Sequence, residues 1–479
     1  MAASVIEQAP IYNQLPVGQE IIFTVSNSDA VANQQKVKFC VEVYISNDTM
    51  PVVGTGTHLV GTFKATPNNA GVGIFDLRNI IENYVAADNR TDLGTNPGLA
   101  GPQYKGTFVN ENTWPMHIVD KFSLSTKCVS FMVLNFYVEY LGAMNEAGEQ
   151  DDNIVRQAAG TEVSSDEFTI FNGYVKYTDI IREFQNNFGY ETTKFVPGTI
   201  TARFLTNAPM EQYANYNDYG TVAFYQPSNQ ASVAVNRFEA SYYGSDGSQI
   251  GVATTIGKGS TTGAYVAWQE LASNQIIFLG CFPGNLQNWD TAFPTAAQLE
   301  GGHIIIQALD IPGADSLQTL KINVNCPEQK NYEPIRLAWL NQWGAWDYYT
   351  FTKKSSKTLK TKQTTYQQLG GTWNEAVYIP HNFKGGKKTF RVNAIERIKM
   401  NTDFVSEDFN VIFEELTNSP EVYLLEGFQT DKSFSSLNNY VQPVRLTSSA
   451  FTRKTLVNDN LIQYSFTVEK TKTLRTQSI

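Results

Sequence analysis

Hydrophobic and polar residues alternate with period two along most of this chain. Val37, Phe39, Val41, Val43 and Ile45 share one side of a segment whose other side is Lys38, Cys40, Glu42 and Tyr44. Leu320, Ile322, Val324 and Cys326 alternate with Lys321, Asn323 and Asn325, and Ile462, Tyr464, Phe466 and Val468 alternate with Gln463, Ser465, Thr467 and Glu469. Successive strand side chains point to opposite faces, so each run predicts a half-buried strand. Asn172-Gly173 and Asp246-Gly247 predict hairpin turns, because Asn, Asp and Gly tolerate the positive φ such turns demand.

Helical spacing is confined to short stretches. Asp76 is placed to cap a segment with Leu77, Ile80, Ile81, Tyr84 and Val85 on one stripe, and 179–188 carries Ile180, Ile181 and Phe184. A third helix is predicted from Ser406, its cap, to Leu416, with Phe409, Ile412, Phe413 and Leu416 on the buried side and Pro420 beyond its end. The pattern predicts a mainly β, multi-domain chain of β-sandwiches or partial barrels with a small α+β C-terminal part. Interruptions at 193–198 and 326–334 divide it into an N-terminal β domain (1–195), a middle β domain rich in Gly, Ser and Asn (196–330) and a C-terminal α+β domain (331–479).

Composition agrees with this picture. The 479 residues suit about three domains of ~150 residues. Hydrophobic residues make up 42% and aromatics 13%, enough for cores that offset chain entropy and exclude disorder. Met1 to Gln8 lacks the basic and apolar regions of a signal peptide, and no run approaches the ~20 apolar residues of a membrane span. The four cysteines form no C-x-x-C pair and read as thiols of a reducing cytoplasm, Cys40 and Cys326 lying buried or half-buried within strand patterns. The net charge of −10 is unevenly distributed: 351–400 holds eleven basic residues and two acidic ones, a net +9 that leaves −19 on the rest. Such asymmetry predicts a charged contact surface.

Catalytic patterns are sparse. None of His58, His117, His303 and His381 lies within five residues of another, so no helical ligand pair exists, and His303 reads as a strand residue. Gly251 to Ser260 fails as a phosphate loop, with five residues between its glycines and Gly259 where Ser or Thr would hold magnesium, and reads as a hairpin tip. The acids of 146–152 lack calcium-loop spacing and read as a solvated loop. A glycosidase pair of carboxylates comes together only in space, so it stays open as a rival reading. No metal or cofactor is expected.

The densest feature runs from Glu333 to Phe351 and places Trp339, Trp343, Trp346, Tyr348 and Tyr349 within eleven residues. Two readings compete. In one, Ile335, Leu337 and Trp339 form a buried strand, the rings cover a turn at Gly344, and Asp347 caps or pairs with Arg336. In the other, the rings line a platform that stacks on sugars. Rings this dense usually bury one another, so Trp339, Trp343, Trp346 and Tyr348 are assigned to a core or subunit interface. The basic stretch that follows, with Lys353, Lys354, Lys357, Lys360 and Lys362, predicts a polar arm or long hairpin that meets an acidic neighbour or DNA.

Arg336-Leu-Ala-Trp-Leu-Asn followed by Gly344-Ala-Trp-Asp-Tyr-Tyr-Thr-Phe resembles a signature of virion structural proteins of tailed bacteriophages, above all the neck, ring and tail proteins of crAss-like and related short-tailed phages. Ser419-Pro-Glu-Val-Tyr-Leu, Pro443-Val-Arg-Leu and the stretch from Lys454 to Glu469 are similar to the same group, so the resemblance covers roughly 333–469. It implies a non-enzymatic structural component located in the virion and assembled in the host cytoplasm. Its implied partners are copies of itself in a closed ring of six or twelve, other neck or tail proteins, and packaged DNA beside the basic segment. No catalytic residue carries over. The alternative is a receptor- or glycan-binding fibre or baseplate adhesin, for which Tyr242, Tyr243 and the Gly/Ser loops of the middle domain are candidates.

Overall fold

A computed structural model describes the chain apart from 91–114, 143–152, 175–179, 183–187, 191–203, 227–236, 259–274, 310–315, 327–331, 427–439, 456–461, 476–479 and positions 1, 11, 12, 48, 55, 373, 449 and 473. The fold is mainly β, with six open sheets among the described residues. By their contacts the residues form two compact units: Met1–Asn325 with Leu340–Asp347, and Cys326–Trp339 with Tyr348–Ile479. The domain boundaries expected at 195/196 and 330/331 lie outside the described residues.

The first unit contains two sandwich-like arrangements. In one, a sheet of Val5–Gln8, Ile22–Ser26 and Val72–Asp76 faces a larger sheet in the order Gln14–Pro16, Phe168–Phe171, Val129–Leu141, Lys38–Ser46 and Leu59–Ala65. Phe23 of the smaller sheet meets Phe136 and Phe168 of the larger at ring distances of 5.7 and 5.6 Å, at the centre of a shared apolar core. In the other, Thr221–Gln226, Gln275–Gly280 and Phe122–Leu124 form a small sheet beside a five-stranded one, and Phe224 meets Phe238 across them at 5.6 Å. Both arrangements follow from inward-facing apolar residues on every second strand position.

Several local expectations change in this unit. The Lys38–Ser46 strand is buried on both faces, not half-buried. Its polar face is covered because Glu42 binds Arg156 at 2.6 Å and Asn135 at 3.0 Å, while the Arg156 guanidinium lies 3.7 Å over the Tyr137 ring. Burial acts to raise the Glu42 carboxyl pKa, but Arg156 and Asn135 outweigh it and hold the group below the usual carboxylate range. The helix expected at 179–188 is replaced by paired strands Ile180–Arg182 and Phe188–Tyr190. Among the described residues Asn172-Gly173 joins no paired neighbouring strands, whereas Asp246-Gly247, with Gly247 at φ +79°, turns the hairpin of Arg237–Tyr243 and Gln249–Lys258. Residues 251–258 belong to that second strand and not to a hairpin tip. Asp76 accepts from the Arg78 amide at 3.1 Å but stands one residue before the N-cap, which is Leu77, and the helix Arg78–Ile81 tightens to a 3₁₀ turn. The acidic stretch 146–152 lies outside the described residues.

Among its described residues the second unit is built on an eight-stranded sheet and a helix. The strand order is Trp346–Phe351, Ile335–Leu340, Val422–Leu425, Val441–Leu446, Ser465–Lys470, Gly386–Asn401 and Ser356–Gln368, with Leu474–Arg475 also paired to Gly386–Asn401. The helix is Phe409–Asn418, starting later than expected, with Asp408 and not Ser406 at its N-cap. Its buried side is the predicted one: Phe413 lies 5.0 Å from Tyr349 and 5.4 Å from Phe466. Cys326 is exposed, contrary to its place in an alternating run, since the strand ends at Val324.

Candidate functional site

The Trp-rich segment folds as a hairpin of Ile335–Leu340 and Trp346–Phe351, every residue of both strands being buried. The turn between them is fixed by Asn341, whose side-chain oxygen accepts from the amides of Trp343 (3.0 Å) and Ala345 (3.1 Å). Gly344 sits at φ +75°, and a Cβ there would come 2.2 Å from the Asn172 carbonyl oxygen. This is a close backbone approach that only glycine permits.

The indoles are interior. Trp339, Trp343 and Trp346 are each 1% exposed or less, and Tyr348 is buried. Trp346 Nε1 donates to the Asp88 carbonyl at 2.9 Å and its ring meets His117 edge-to-face at 4.8 Å, while Trp343 Nε1 donates to Asn207 Oδ1 at 3.2 Å. The Asp88 carboxylate in turn accepts from the amides of Lys127 and Cys128 at 3.0 Å and from Thr126 Oγ1 at 2.7 Å. Asp347 accepts from Thr206 Oγ1 at 2.6 Å, and Arg336 donates to Thr350 Oγ1 at 2.7 Å. Burial pushes the Asp347 carboxyl up to about 6, with bonds from Thr206 and Asn341 acting the other way. No face of these indoles is open to a sugar ring. Of the two tyrosines considered for glycan binding, Tyr242 is buried and donates to Asp290 at 2.6 Å, and Tyr243 stacks on His303 at 4.8 Å.

No protein-family model and no curated protein matches the sequence. Function must therefore be read from surfaces, and the second unit carries the most distinctive one. Ser356–Gln368 pairs antiparallel with Gly386–Asn401 in a long hairpin whose outer strand is exposed over its first ten residues. At ~3.4 Å per residue its 13 residues extend about 44 Å. Among the described residues, the inner strand beyond Asn393 pairs only with the outer one, so the described distal half is a two-stranded arm.

The structure places the predicted lysines along the base and length of this arm. Lys353 pairs with Asp403 at 2.8 Å and Lys357 with Glu333 at 2.7 Å. The Lys354 carbonyl accepts from Asn401 at 2.6 Å, and Lys360 and Lys362 project from the exposed strand. The tip was not anticipated. Thr372 Oγ1 donates to the Val377 carbonyl and accepts from the Ile379 amide, both at 3.0 Å, and Gly371, at φ +79°, admits the Tyr378 ring. This ordered turn exposes Val377, Tyr378, Ile379 and Phe383, with Phe383 at 73% and Val377 at 67%. The sequence signal for it is a run of apolar residues bounded by Gly370-Gly371 and Gly385-Gly386, where burial would otherwise be expected.

Burial pushes the Cys40 thiol up to about 12 and raises that of Cys128, keeping both protonated. Among the described residues no three His, Cys, Asp or Glu side chains gather as metal ligands would.

Proposed function

We propose that the chain is a non-enzymatic structural subunit of a tailed-phage virion, a neck or tail ring protein that joins head to tail through contacts between identical copies. The observation that carries this reading is the arm: an extended hairpin ending in an ordered apolar tip that nothing in the described chain covers. Apolar clusters exposed in this way mark protein contacts. The resemblance of 333–469 to phage neck and tail proteins supplies the setting.

Docking would be head to tail, the arm of one copy lying on the body of the next, which closes into a ring when the rotation permits. Charge supports that direction, since the arm belongs to a segment of net +9 and the remainder carries −19. Burying four tip side chains is worth about 1.5–3 kcal/mol each, and association entropy consumes most of that. A single arm contact is therefore weak, and ring closure, in which each copy gives and receives one arm, makes it persistent.

The test is assembly of virions and of the full chain with Val377→Ser and Phe383→Ser together. These side chains are solvent-facing, so monomer melting should stay within about 1 kcal/mol of wild type while rings seen by negative-stain microscopy and particle yield fall. Neutralising Lys353, Lys354, Lys357 and Lys360 together should likewise impair particle assembly more than folding. Normal particles from both variants would overturn the proposal.

A further inference from the structure

The register of the arm arranges its cations in a way the sequence does not show. Residues directly opposite in an antiparallel pair share a face, and every second row returns to it. The rows Ser356/Lys399, Thr358/Arg397, Lys360/Ile395, Lys362/Asn393, Thr364/Arg391 and Tyr366/Lys388 therefore lie on one face. Each of these six consecutive rows carries a cation, first from the inner strand, then from the outer, then from the inner again. The register shift at Thr364/Thr365 keeps the last row on that face, and the Tyr366 and Phe390 rings meet there edge-to-face at 6.4 Å.

The opposite face is different. Its rows hold Lys357, already paired with Glu333, and Glu396, which binds Lys470, and it includes the buried Ala394 and Ile398. On the cationic face, the acid that joins the rows is Glu469, which takes Arg397 at 2.7 Å and Arg445 at 2.7 Å. Lys360, Lys362, Arg391 and Lys399 are exposed, and Lys388 is half-buried. Setting Arg397 aside leaves five cations for an external partner.

We propose that this face binds the phosphate backbone of double-stranded DNA, without reading sequence. Rows on one face repeat every ~6.8 Å, so six rows extend about 34 Å, close to one turn of B-DNA at ~34–36 Å. Ser356, Thr358, Thr364 and Asn393 between the cations are the short donors that bond phosphate oxygens. Aromatic rings at one end add stacking or cation–π contact. The apolar tip, at the far end of the arm, takes no part in DNA contact, so a tip variant disturbs ring assembly while leaving the cationic face whole.

Binding of the full chain to a fluorescent mixed-sequence duplex of about 30 base pairs tests this by its salt dependence. Five phosphate contacts predict a slope of log affinity against log salt of about −4.5, a loss of roughly 500-fold between about 50 and 200 mM. Lys360→Gln, Lys362→Gln and Arg391→Gln together should reduce the slope to about −2, whereas Lys387→Gln on the other face should leave it unchanged. An unshifted melting temperature shows that the triple variant is folded. The proposal is overturned if wild type does not bind near 50 mM salt, if the triple variant keeps the full slope, or if that variant loses self-association with its DNA binding intact. The last outcome would make the face a protein contact. Val377→Ser with Phe383→Ser should bind DNA normally whether or not it forms rings.

Discussion

Removing the Trp346 indole separates an interior role from an intermolecular one. The ring is 1% exposed, lies against His117, and donates its N–H to the Asp88 carbonyl at 2.9 Å. Trp346→Ala removes a fully buried bicycle, and such truncations cost about 3–5 kcal/mol. Trp346→Phe keeps much of the volume but leaves the Asp88 carbonyl without its donor, which costs about 1–3 kcal/mol. The Asp88 carboxylate, held by Thr126, Lys127 and Cys128, fixes that carbonyl in place, so relaxation cannot recover the bond. At roughly 2 °C per kcal/mol for a large unit, melting followed by circular dichroism on dilute protein should fall by about 6–10 °C for the alanine and about 2–6 °C for the phenylalanine. Hydrogen exchange should speed up around Asp88 and 126–128 in both. An alanine variant that melts like wild type yet fails to assemble would refute the packing argument and make Trp346 a contact residue.

Three further outcomes follow from the same geometry. Burial raises the folded-state pKa of Asp347 from 3.8 to about 6, so the folded protein binds more protons across that interval and wild-type stability falls as pH rises through it. Asp347→Asn should therefore match wild type near pH 4 and exceed it at pH 7–8 by up to about 3 kcal/mol, at ~1.4 kcal/mol per pH unit; equal melting curves at both pH values would contradict this. Gly344→Ala forces a Cβ against the Asn172 carbonyl at positive φ and should cost at least about 2 kcal/mol in thermal melting. Arg156→Ala uncovers Glu42 and the Tyr137 ring and should destabilise by about 1–3 kcal/mol, with the loss shrinking below pH 4 as the carboxylate protonates, which urea titration at two pH values measures.

The cation ladder shows how far a linear reading reaches. Lys360 and Lys362 are two apart and visibly share a face of any strand, but Arg391 and Lys388 join them only through antiparallel register and a bulge. The apolar tip was hidden for a different reason. Val377, Tyr378, Ile379 and Phe383 look like core residues, and hydropathy alone does not distinguish a buried strand from a turn that presents its side chains outward.

The sequence by itself determined the mainly β class, the strands at 320–324 and 465–468, the buried side of the helix at 409–418 and the existence of a basic arm or hairpin, because these depend on contacts or periodicities within a few residues. It also placed Trp339 in a buried strand and the turn at Gly344. Tertiary structure alone decided that Lys38–Ser46 is covered on both faces, that Ile180–Arg182 and Phe188–Tyr190 pair as strands where a helix was expected, and which partners the Trp343 and Trp346 indoles take. Those outcomes rest on residues far apart in the chain, such as Arg156 over Glu42 and Asp88 beneath Trp346, and local propensity is silent about partners that distant.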